Sequence, residues 1–137
     1  MANAVYPLWK QELLKGTANT ALTGTFKVAL VDAGTYTYSA AHQFRSSITS
    51  AEVGTAQTLG SVTVVNGVVK AAAVTWTALS GASVEALVFF IDTGSAATSP
   101  LVAYVDSSQT GSPGLPLTPN GGNVTYTPDG TNGIFTL

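Results

Sequence analysis

The sequence predicts an all-β sandwich of jelly-roll type, and three observations predict it. Short stretches alternate apolar and polar residues with a period of two, as half-buried strands do. Clusters of Gly, Ser, Asn and Pro separate those stretches at the spacing of a sandwich or barrel. The whole chain, 137 residues and 13.9 kDa, suits one core, so residues 1–137 are read as a single domain. Two exceptions to the strand pattern are expected: a short N-terminal helix and a second helical turn near residues 40–48.

The helix spans residues 5–15. Pro7 suits its first position, Leu8, Trp9, Leu13 and Leu14 share one face, and Gly16 can close its end. About three turns of helix are marginal alone in water, so this stripe needs a surface to cover. Either it seals an open end of its own domain, which is favoured because Trp9 bare on a free subunit invites aggregation, or it docks on a neighbouring subunit.

Thr25 to Asp32 then points Phe26, Val28 and Leu30 one way and Lys27, Ala29 and Val31 the other. Behind Ser39 as a possible cap, Ala41, Phe44 and Ile48 fall at helical spacing, which predicts the second helical turn. Ser61–Val65 and Val68–Ala72 flank Asn66-Gly67, a dipeptide that tolerates positive φ at both turn positions and therefore specifies a type I′ hairpin. Further strands are expected at Val74–Ala78, Ser83–Asp92, Leu101–Asp106, Val124–Thr127 and Ile134–Leu137. The run Ala86–Ile91 is apolar without a break, as in a central strand buried on both faces or one whose outer face meets a partner.

Composition removes several function classes. Charged residues make up 9% of the chain, against about 25% in ordinary domains. The five basic residues stand singly, and with a net charge of −2 they form no stripe for a phosphate backbone, so direct nucleic-acid binding is not expected. No apolar run approaches the ~20 residues of a membrane span, and the N-terminus lacks the pattern of a signal peptide, so synthesis in the cytoplasm and no membrane partner are expected. With no cysteine there is no disulfide, thiolate nucleophile or zinc–thiolate site. A surface of Ser, Thr, Ala and Gly carries little charge and suits burial in an assembly.

The chain holds one histidine, His42, and no G-x-S-x-G elbow, so a local hydrogen bond or an interface contact is its expected role, and no catalytic residue is assigned. Asp32, Asp92 and Asp106 each end an apolar strand ahead of small residues, the setting of an Asx turn; calcium ligation and a glycosidase pair are the less favoured alternatives. No cofactor and no metal site is expected. Tyr36, Tyr38 and Trp76 fit a sheet core or an interface better than a sugar-stacking platform.

Taken together, YPLWKQELLKG, TFKVALVDAGTYTYSAAHQFRSSI, EALVFFIDTG, SPLVAYVD and GLPLTPNGGNVTYTPDGTNGIFTL resemble a family of small tailed-bacteriophage virion proteins over nearly the whole chain. The resemblance implies a non-enzymatic capsid decoration (cement) protein on the virion surface, binding across junctions of the major capsid protein as a dimer or trimer. The alternative is a tail or fibre component touching host glycan. Leu8, Trp9, Leu13, His42 and Phe44 are the candidate interface residues.

Overall fold

A computed structural model describes residues 3–106 and 115–137. Its class is all-β, as the alternation predicts: the described residues form an antiparallel five-stranded sheet, a three-stranded sheet and a two-stranded ribbon, with one α-helix.

The main sheet has the order β1-β8-β7-β2-β3, built from β1 (Ala4–Val5), β2 (Thr25–Val31), β3 (Glu52–Thr58), β7 (Ala86–Asp92) and β8 (Leu101–Val105). Six of the seven residues of β7 are buried, and both of its faces are covered. On one face Phe89 meets Phe26 of β2 and the ring of Tyr126 from the ribbon formed by β6 (Val74–Trp76) and β9 (Val124–Tyr126), each at 5.8 Å. On the other, Arg45 lies over Phe90 at 4.6 Å, while Tyr36 and Tyr38 stack against Tyr104 of β8. An uninterrupted apolar run is what a strand enclosed on both sides requires.

The three-stranded sheet has the order β10-β5-β4, from β4 (Thr63–Val65), β5 (Val68–Lys70) and β10 (Phe135–Thr136). Val65 pairs with Val68 across Asn66 at φ 52° and Gly67 at φ 79°, the two positive values that a type I′ turn demands. Helix α1 (Pro7–Leu14) starts at Pro7, and Trp9 is its one fully buried residue. Trp9 meets Phe135 edge-on at 6.0 Å and its indole N–H donates to the Thr20 carbonyl at 2.9 Å. The helix thus covers its own domain, the favoured of the two expectations.

The helical turn expected near residues 40–48 is present as a 3₁₀ turn at Arg45–Ser47 and not as α-helix begun behind Ser39. Phe44 is extended and bridges Pro100, and two single 3₁₀ turns follow at Arg45–Ser47 and Thr49–Ala51. Of the three residues at helical spacing, only Ile48 is buried; Ala41 is exposed and Phe44 half-buried. What organises the segment is Arg45, whose guanidinium donates twice to Glu52, at 2.9 and 2.8 Å, and so ties the turns to the start of β3. Strands β1 and β3 are additional to the expected set.

Candidate interaction surface

Four large apolar side chains stand well exposed among the described residues: Leu14, Val64, Val65 and Leu137. Their positions are related. Val64 and Leu137 line an apolar groove of about 290 Å³ between α1 and the β10-β5-β4 sheet, with Trp9, Leu13, Val69 and Phe135 forming its floor and walls. Leu14 and Val65 adjoin lining residues in the chain. The groove exists because β4 is an edge strand with all three residues exposed, while α1 leans on β10 through Trp9. Among the described residues, no Asp, Glu, Lys, Arg or His side chain lines it.

The five residues expected at an interface divide among three places. Trp9 is a core residue, 2% exposed, and offers a partner almost nothing, a correction to its place among them. Leu8 and Phe44 come together with Pro100 at a narrow cleft of about 90 Å³ on the other side of Trp9. Leu13 lines the apolar groove. His42 lies apart, its Nδ1 2.9 Å from the Tyr36 hydroxyl, which is itself 2.8 Å from the Tyr6 hydroxyl. That chain of hydroxyls fastens the residue preceding α1 to the loop after β2. Burial, then the bond to Tyr36, raises the Tyr6 phenol far above its ordinary value. His42 thus meets a phenol where a nucleophile–base pair would place a serine.

The strand-ending Asp32 and Asp92 are occupied structurally. Asp32 Oδ1 accepts from Gly34 N–H and Asp92 Oδ1 from Gly94 N–H, both at 2.9 Å, the expected Asx turns; the turn expected after Asp106 lies outside the described residues. Asp92 also meets Lys27 at 3.0 Å, and these contacts, the Gly94 amide first, hold its carboxyl below the usual range. No three His, Cys, Asp or Glu side chains among the described residues cluster as metal ligands. Trp76 is buried with its N–H on the Thr55 carbonyl, at 2.8 Å, so it is a core residue and not a stacking platform. A shallow depression of about 360 Å³ beside it, lined by Thr55, Gln57, Thr75 and Ser80, gathers hydroxyls and amides without an ionisable group.

Sequence reasoning placed Leu13 on the helix's apolar face but missed the groove itself, because Val64, Val65 and Leu137 read as ordinary strand residues. The one available signal was the hairpin TVVNGVV, in which both strands are apolar on both faces. No protein-family model matches the chain, and no curated protein matches it.

Proposed function

We propose that the chain is a non-enzymatic structural protein of a tailed-bacteriophage virion, a capsid decoration protein that binds as a homo-oligomer across junctions of the major capsid protein. The observation that carries this reading is the apolar groove between α1 and β4-β5-β10, rimmed by Val64 and Leu137 and lined by no ionisable side chain among the described residues. A contiguous apolar surface on a small domain marks a site of contact with another macromolecule. The low charge of the chain supports the same reading, and half of its twelve charged side chains are paired internally, as Lys15–Glu12, Lys27–Asp92 and Arg45–Glu52. Such a surface meets a protein lattice with little charge to desolvate. The sequence resemblance supplies the virion context.

The test is co-sedimentation of the purified protein with shells assembled from the major capsid protein alone, beside a count of its copies in purified particles. Saturable binding, hundreds of copies per particle, and loss of binding in Val64→Lys support the proposal. Val64 is exposed on an edge strand, so that variant should fold. Absence of binding, or only a dozen copies per particle, overturns it; the second outcome moves the chain to the tail.

A further inference from the structure

The chain contains three Asn-Gly pairs, at 66–67, 120–121 and 132–133. In such a pair the backbone nitrogen of glycine can reach the asparagine carboxamide carbon, unobstructed by a Cβ. Whether it reacts depends on whether that nitrogen is engaged, and here the fold treats the three pairs differently. Gly121 N–H donates to the Leu79 carbonyl at 2.7 Å, and Asn120 Oδ1 accepts from Gly122 N–H at 2.9 Å, so both reacting groups are held. Gly133 N–H donates to the Asp129 carbonyl at 3.0 Å, in a turn packed against the Val69 carbonyl. Gly67 N–H makes no hydrogen bond among the described residues, because in a two-residue hairpin the closing bonds belong to Val65 and Val68. Asn66 is exposed, and its carboxamide is likewise unengaged by the described residues.

We propose that Asn66 is a site of spontaneous deamidation, the one Asn-Gly pair of the three that the fold leaves open to it. The Gly67 nitrogen, giving its proton to water, attacks Asn66 Cγ; the bond from Cγ to the side-chain nitrogen breaks and ammonia leaves, closing a five-membered succinimide. Water then adds at either carbonyl and opens the ring to aspartate or to its β-linked isomer. The net change consumes one water, releases one ammonia and leaves one new carboxylate, with no oxidation or reduction.

The position gives the change a consequence. The new charge stands on the turn joining β4 to β5, beside the groove that Gly67, Val64 and Leu137 line. The β-linked isomer adds a methylene to a turn whose Val65–Val68 pairing leaves no slack. Ageing at this one residue therefore makes the apolar rim more polar and loosens the edge hairpin.

The test incubates the full chain at mildly alkaline pH, folded and in urea, and follows the conversion of each asparagine by peptide mass. The urea sample supplies the unrestrained rate of each pair. Relative to that rate, Asn66 in the folded protein is expected to convert about fivefold or more faster than Asn120 and Asn132, the factor by which one net hydrogen bond withholds an amide. A relative rate at Asn66 equal to or below those of the other two overturns the proposal.

Discussion

Substituting Gly67 tests the hairpin and the end of the chain together. At φ 79° an L-side chain carries about 1–2 kcal/mol of left-handed strain. A Cβ built there would also lie 2.5 Å from the Leu137 carbonyl oxygen, close enough to push β10 away, and the Leu137 N–H bond to the Gly67 carbonyl, 2.9 Å, would be lost or stretched. That bond adds about 1 kcal/mol, so Gly67→Ala should cost about 2–3 kcal/mol in all. Two other glycines separate the contributions. Gly121, at φ 86° with no atom within 4 Å of its Cβ position, isolates the strain, and Gly121→Ala should cost about 1–2 kcal/mol. Gly60 has open space and no positive φ, so Gly60→Ala should gain about 0.4–1 kcal/mol by restricting the unfolded chain. Urea midpoints are the assay: with a slope of about 1–3 kcal/mol per molar, Gly67→Ala should fall by about 1 M or more. A Gly67→Ala midpoint at or above that of Gly121→Ala would refute the steric part of the reasoning.

Tyr126 is fully buried, and its hydroxyl has no hydrogen-bond partner among the described residues. Tyr126→Phe should therefore be neutral or raise stability by about 1 kcal/mol, and a loss of more than that in a thermal melt would mean the hydroxyl is bonded. Burial pushes the phenols of Tyr6 and Tyr126 upward, so the native state resists their ionisation. Stability should be complete below about pH 10, the unfolded tyrosine value, and decline as pH rises beyond it. Part of the tyrosinate absorbance should then appear only as near-ultraviolet dichroism is lost; ordinary titration of all five tyrosines in a folded protein would contradict this. Asp32 and Asp92 spend oxygens on their own turns, so calcium or a chelator should leave the melting temperature unchanged, whereas a rise of several degrees with calcium would reveal ligation.

What was legible in the sequence depended on whether a segment kept a single period. Strands β2 and β7 and the Asn66-Gly67 hairpin could be read because alternation, a continuous apolar run and a turn dipeptide are local properties. Strand β3 could not. Its partners step from Gln57 opposite Val28 to Val53 opposite Leu30, so the register breaks, and Gly54 sits inside the irregularity at φ 71°. Its buried residues Val53 and Ala56 are consequently three apart, and period two is lost. The turn near residues 40–48 was legible in existence but not in bounds: the spacing of Ala41, Phe44 and Ile48 pointed to a helical turn, while the bidentate ion pair of Arg45 to Glu52, invisible to any local pattern, ties the 3₁₀ turn at Arg45–Ser47 to β3. The groove was unreadable for a related reason, since it joins α1, β4 and residue 137, which only the tertiary fold brings together.

The pairing of β1 with β8 also constrains the order in which this fold can be completed. Ala4 lies opposite Tyr104, and the Tyr6 amide donates to the Val102 carbonyl at 2.9 Å. On the ribosome, the segment that carries Tyr6 and Trp9 emerges well before the strand it must join, a lag of about 5–20 s at ordinary rates of synthesis. Through that interval the indole of Trp9 has neither Phe135 nor β8 to cover it. Completion of the main sheet is therefore a late, non-local event, slow by the rule that distant pairings cost loop entropy before they return stability. The time of greatest exposure to aggregation is during synthesis, and crowded production of many copies would make a chaperone's transient cover of this N-terminal segment most valuable then.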